Sequence, residues 1–201
     1  MNQPLYLLRI SVQDIEPEIW RRFVVPADIT LDRLHDVIQI VMGWEDHHLH
    51  EFIVNGGKYT ENPESVEDGL EEGKVRLKDL IHKNGQKLVY HYDFGDDWFH
   101  DVVLEDCRYS NAELLSPVEC LDGERACPPE DIGGIPGYEE LCRELAEMDA
   151  GDIDEDDETE GEWEEEWDDE EYDSEEFDLE YVNHELLIYQ RWARNRALPM
   201  P

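Results

Sequence analysis

The sequence predicts an α+β fold: a single domain with a mostly antiparallel or mixed sheet of hairpins and packed helices. Three observations predict it. Short β-branched, alternating segments recur between turn signals, two segments repeat their apolar residues at helical spacing, and one Gly-first loop joins two long strand-like runs. At 201 residues and 40% hydrophobic content the chain is large enough for one well-buried core.

Residues 5 to 12, LYLLRISV, and 18 to 25, EIWRRFVV, read as two strands joined by a turn at Pro17. Thr30 is placed to cap a helix on which Leu31, Leu34, Ile38, Val41 and Met42 form one stripe, with His35 beside it, and Gly43 is placed to end it. HLHEFIVNGGKY then reads as a strand with His48, His50, Phe52 and Val54 on one face, closed by Asn55-Gly56-Gly57. Residues 60 to 74, polar and acidic, read as a mobile loop, and Leu77 to Ile81 as a short helix or turn.

KLVYHYDF and DWFHDVVLE flank Gly95-Asp96, which suits a two-residue type II′ turn. That register pairs Asp93 with Trp98 and His91 with His100, and places all four on one face. CLDGERACPPEDIGGIPG, 120 to 137, is rich in Gly and Pro and reads as an irregular loop ahead of a helix, YEELCRELAEM. FDLEYVNHELLIYQRW reads as a final amphipathic helix with Phe177, Tyr181, His184, Leu187 and Ile188 along one side.

The formal charge is −38, and residues 147 to 180 hold 22 acids and no Lys or Arg. An acidic insert over 149–171 therefore interrupts a domain made of 1–148 and 172–201, with Trp163 and Trp167 suggesting a turn of docked helix. Such a charge disfavours direct nucleic-acid binding, which relies on Lys and Arg at phosphates. No apolar run approaches the roughly 18 to 20 residues of a membrane span, and no signal-peptide pattern opens the chain, so a cytoplasmic protein is expected. Cys107, Cys120, Cys127 and Cys142 form no CxxC pair and read as free thiols.

Candidate chemistry centres on histidines and carboxylates. His48, His50, Asp93 and His100 are the metal candidates, for zinc, manganese or magnesium, provided that the two hairpins are neighbours. Glu130 and Asp131 are the candidate general bases for a metal-activated water. Asp96, with Asp93 and Asp97, offers carboxylates at a hairpin tip. Trp98, Asp96, Cys120 and Cys127 are candidates for a pocket or binding loop, with Cys120 and Cys127 also weighed as a partial zinc site or a nucleophile. Nucleotide-binding and serine-hydrolase motifs are absent.

PEIWRR (17–22), LHDVIQIVMGW (34–44), HLHEF (48–52), YDFGDDWFH (92–100), CLDGERACPPEDIGG (120–134) and FDLEYVNHEL (177–186) together resemble the plasmid pRiA4b ORF-3-like family. Members are also labelled insertion-element passenger proteins. The resemblance implies a single α+β domain and a mobile-element association, and it assigns no activity. It marks His48, His50, Phe52, Asp93, Gly95, Asp96, Trp98, His100, Cys127, Pro128, Pro129, Glu130, Asp131 and Gly134 as motif positions and leaves His47 outside. Many relatives carry a cysteine after P-P-E-D where this chain has Ile132, which speaks against a three-cysteine metal site here. The acidic insert is also longer than is usual.

The reading that follows is a non-enzymatic, acidic binding or adaptor domain with a protein or small-ligand partner. The alternatives are a metal-dependent hydrolase and an acidic mimic of nucleic acid built on the insert.

Overall fold

The computed structural model describes residues 4–65, 68–150 and 172–196. Its centre is one eight-stranded mixed sheet. The strands are β1 (Leu5–Val12), β2 (Trp20–Pro26), β3 (His50–Val54), β4 (Gly57–Thr60), β5 (Leu70–Glu71), β6 (Lys87–Tyr92), β7 (Trp98–Tyr109) and β8 (Glu119–Glu124). The order across the sheet is β5-β4-β3-β6-β7-β1-β2-β8, antiparallel throughout except for β4 with β5. The helices are α1 (Leu31–Met42), α2 (Leu77–Leu80), α3 (Gly134–Ala150) and α4 (Leu179–Arg196).

Alternation decides the faces. Tyr6, Leu8, Ile10 and Val12 of β1 point inward, opposite Val25, Phe23 and Arg21 of β2 on one side and Leu104, Val102 and His100 of β7 on the other. Helix α1 covers this inner face with Leu31, Leu34, Val37, Ile38 and Val41, all fully buried. The outer face carries paired charges: Arg9 with Glu18 and Arg22 with Glu105, both guanidiniums near the Trp20 ring.

Arg21 projects into the core beneath the end of α1. It is 1% exposed and donates to the carbonyls of Val41, Met42, Trp20 and Glu124, with Phe177 stacked 4.1 Å from the guanidinium. Gly123 makes room for this stack, since a Cβ there would lie 2.7 Å from both Arg21 Cδ and Phe177 Cε1.

Several expectations change. Gly43 ends α1 as expected, with φ +106, but the Thr30 side chain makes no capping hydrogen bond. Residues 60–74 are not simply a loop, because β5 pairs with β4 and a 3-10 turn at Glu72–Lys74 buries Glu72. Within 120–137 the first five residues belong to β8, hidden from the alternation signal because only Cys120 among them is buried. Helix α3 starts four residues early, at Gly134 rather than Tyr138. Helix α4 buries Val182 and Leu186, with Leu179 and Tyr189 packed beside them, while Tyr181, His184, Leu187 and Ile188 are exposed. The acidic residues 151–171, with Trp163 and Trp167, lie outside the described residues.

The β6–β7 register differs by one residue. Tyr92 pairs with Trp98, His91 with Phe99 and Tyr90 with His100. The loop has five residues because Asp93 adopts a left-handed backbone, φ +54, and its Oδ1 accepts from the Gly95 amide while its carbonyl accepts from the Asp97 amide. The one-residue slip moves His91 to the outer face, stacked on Phe99 at 4.0 Å, and leaves Trp98 and His100 inside with Tyr90 and Tyr92.

The same tip is locked to the P-P-E-D segment. Asp96 Oδ2 accepts from the Gly133 amide, and the Asp96 carbonyl lies where a Cβ on Gly134 would stand, at 2.5 Å. Gly134 has φ +69, so only glycine satisfies both demands at low cost.

His100 is fully enclosed. Its Nδ1 donates to the Tyr90 carbonyl and its Nε2 accepts from Trp44 Nε1, which requires the neutral ring, and burial pulls its pKa down to about 4. A folded pKa below the unfolded value of 6.5 means the unfolded chain takes up the proton first. Stability from this group is therefore complete above pH 6.5 and is lost as the pH falls toward 4, by roughly 3 kcal/mol. Urea unfolding between pH 7 and pH 4 should show this slope, and His100→Asn should flatten it. For the lock, Gly134→Ala should cost about 1 to 3 kcal/mol in urea unfolding. Gly56→Ala, at φ +81 in open space, should cost less.

Candidate functional site

The segment between α1 and β3 is pinned along its length. Trp44 packs against Trp98 and Tyr92, the Asp46 amide donates to Gln39 Oε1, and the His47 amide donates to the Tyr92 hydroxyl. His48 therefore lies just before β3 rather than within it. Its ring is edge-on to Tyr92 at 5.9 Å, as His50 is near Tyr90, so the two histidines do share the inner side.

Around His48 Nε2 stand three carboxylate oxygens: Asp131 Oδ1 at 3.2 Å, Glu130 Oε2 at 3.6 Å and Asp93 Oδ2 at 3.7 Å. Nε2 and Glu130 Oε2 are both buried atoms, and neither makes a hydrogen bond. The other oxygen of two of these carboxylates is anchored. Glu130 Oε1 accepts from the Tyr92 hydroxyl and the Glu45 amide, each at 2.9 Å, and Asp93 Oδ1 accepts from Gly95. One imidazole with three carboxylates is a donor set found at divalent metal sites.

His50 goes elsewhere. Its Nε2 lies 3.0 Å from Glu72, which is 2% exposed, and its ring stacks parallel on His35 at 3.5 Å. His35 Nε2 bonds Asp46 and its Nδ1 bonds the Tyr90 hydroxyl. Gln39 Nε2 donates to that same hydroxyl, so the hydroxyl hydrogen goes to His35 Nδ1 and the imidazole proton sits on Nε2. Burial, and next the His50 ring, pull the His35 pKa down to about 4.

The four expected metal residues thus separate. His48 and Asp93 meet, whereas His50 is tied to Glu72 and His100 is enclosed behind Trp44. Glu130 and Asp131, expected as general bases, stand instead where ligands would. Asp96 braces the loop, and Trp98 is fully buried in the core rather than in a pocket wall. Burial pushes the Cys120 thiol up to about 11 and the Cys127 thiol further, so both stay protonated. Neither belongs to a ligand cluster among the described residues, against the zinc and nucleophile readings.

His35, Glu72, Tyr90 and Tyr92 were not singled out for chemistry. His35 carried one signal, its place beside an apolar stripe. Glu72, one acid among many in 60–74, carried none.

His48, His50 and His35 all face a cleft of about 990 Å³ bordered by α1, β3, residues 60–64, Asp68 and Glu72. Its carboxylates include Asp32, Asp46, Glu51, Glu61, Glu64 and Asp68, and its one ammonium among the described residues, Lys58, is held by Glu51. Leu49 and Phe94, 68% and 47% exposed, lie on its border. Among the described residues no helix is long and apolar enough to cross a membrane.

The comparisons agree with this architecture. A crystal structure of a protein of unknown function, MM3350 from Methanosarcina mazei Go1, is similar with a TM-score of 0.71 and 34% identity, covering 90% of this chain and 98% of its own. Uncharacterized protein y4hQ of Sinorhizobium fredii (strain NBRC 101917 / NGR234) is 38% identical over 142 residues, 70% of this chain and 72% of the relative. The model of the plasmid pRiA4b ORF-3-like protein family matches residues 4–181. With the family model spanning most of the chain and these two likenesses beside it, the chain belongs to the plasmid pRiA4b ORF-3-like family.

Proposed function

We propose that the protein is a binding module whose cleft takes an organic cation with an apolar portion. The observation that carries this reading is the cleft's composition: a wall of carboxylates whose single ammonium is already paired, bordered by exposed Leu49 and Phe94. Its volume, about 990 Å³, is at the upper end of small-molecule sites. The acidic wall concentrates cations and repels phosphates, so a partner presenting an amine or guanidinium beside an aromatic or aliphatic group suits both features. This narrows the expected binding or adaptor role.

A metal-dependent hydrolase built on His48, His50, Asp93 and His100 has no such support, because two of the four point away from the others. Residues 151–171 of the acidic insert lie outside the described residues and play no part in this reading. Four free cysteines support a reducing cytoplasmic setting. The mobile-element association rests on the family resemblance.

Calorimetric titration of the full chain with the dipeptide amide Arg-Phe-NH₂ tests the reading. One saturable equivalent is expected, weakening as salt rises from about 0.05 to about 0.3 M. Phe94→Ala and the pair Glu61→Lys with Glu64→Lys should each weaken it about tenfold, or about 1.4 kcal/mol. Affinity unchanged in both variants would assign the binding to the acidic surface at large and overturn the reading.

A further inference from the structure

We propose that His48, Asp93, Glu130 and Asp131 form a binding site for a divalent transition-metal ion of the zinc or manganese class, beside the cleft. This goes beyond the cleft's organic ligand and does not depend on it.

The first argument is desolvation. A buried imidazole nitrogen and a buried carboxylate oxygen face each other at 3.6 Å, and neither has a hydrogen-bond partner. Leaving both unpaired is costly, and each buried polar atom of this kind needs a reason. The nitrogen stands 3.2 to 3.7 Å from three carboxylate oxygens and makes no hydrogen bond to any of them.

The second argument is spacing. Ligands about 2.1 Å from a tetrahedral ion stand about 3.4 Å from one another. The three oxygens lie 3.2, 3.6 and 3.7 Å from Nε2, scattered around that value. Ligand atoms of His48, Asp93 and Asp131 also lie within 4.8 Å of one another, and Glu130, outside that group, is placed by the 3.6 Å approach of its Oε2 to His48 Nε2.

The third argument is preorganisation. Glu130 and Asp93 each spend one oxygen on fixed donors, Tyr92 and the Glu45 amide for one and the Gly95 amide for the other, and present the second to His48. Outer partners of this kind orient the ligands of metal sites. Asp93 is itself 6% exposed, and its charge at this depth calls for a cation. Asp131, whose side chain is 74% exposed, offers the entry path. One nitrogen and three oxygens without a thiolate suit zinc or manganese and do not suit copper(I).

The test uses the intact chain, purified without a histidine tag and stripped with a chelator. Zn²⁺ and Mn²⁺ are titrated alone, with bound metal read by elemental analysis after dialysis. We expect one retained equivalent of at least one of the two ions and a raised melting temperature. His48→Gln and Glu130→Gln should each weaken retention by more than about tenfold. His47→Gln, an exposed neighbour, should not change it. Because a variant can fail to fold, the unmodified protein is also loaded with Co²⁺, where intense visible absorption marks a tetrahedral site.

Less than about a tenth of an equivalent retained would overturn the proposal. So would retention equal in His48→Gln and the unmodified protein, which would place the ion on the acidic tract, and so would Co²⁺ loading without that absorption. No organic cation is present, so the result stands apart from the cleft experiment.

Discussion

A buried guanidinium with no carboxylate partner among the described residues organises this fold. The charge of Arg21 is solvated by four backbone carbonyls, two of them from the last turn of α1, where the helix dipole places partial negative charge. A planar fork with five donors can serve acceptors from a helix and two strands at once, and a lysine ammonium cannot. The contact fixes the end of α1 against β2 and β8, and Phe177 closes over it from the segment that leads into α4. Everything downstream of Gly43 starts from that fixed point, including the turn that delivers His48.

Charge is handled differently on each side of the sheet. Outside, long Arg and Glu side chains pair in partial contact with water, where each pair contributes little. Inside, three histidines each have defined partners: His100 has Trp44 and Tyr90, His35 has Tyr90 and Asp46, and His50 has Glu72. The neutral tautomers of His35 and His100 follow from those assignments. Other buried polar atoms, Trp98 Nε1 and Asp32 Oδ1 among them, also make no hydrogen bond, and within that group His48 Nε2 and Glu130 Oε2 face each other at 3.6 Å.

Much of the sheet was legible because its signals are local. Alternation marked β1, β2, β6 and β7, and helical spacing with Gly43 marked α1. The register of β6 with β7 was not legible, because it turns on Asp93 taking a left-handed backbone, which aspartate tolerates but does not announce. Strands β5 and β8 were hidden because their residues are mainly exposed or half-buried. The site was legible one residue at a time. His48, Asp93, Glu130 and Asp131 all stood out, but grouping them needs the Asp96 to Gly133 and Gly134 lock, a contact across 37 residues. Strand parity groups His50 with His48, and the expected hairpin register groups His100 with Asp93.

The amide of Asn183 on α4 bonds the main chain of Cys120 in both directions, accepting from its N–H and donating to its carbonyl, each at 2.9 Å. Gln190 likewise donates to the carbonyl of Val118. A side chain thereby occupies hydrogen-bonding positions on the outer edge of β8 that another strand would use. At the far end of the sheet, β5 is only two residues long and offers little template for pairing. A wide, one-sided sheet of this kind is ordinarily open to growth by strand addition from a second chain. Here an asparagine acts as a terminator for the sheet, so growth by backbone pairing is blunted at its ends.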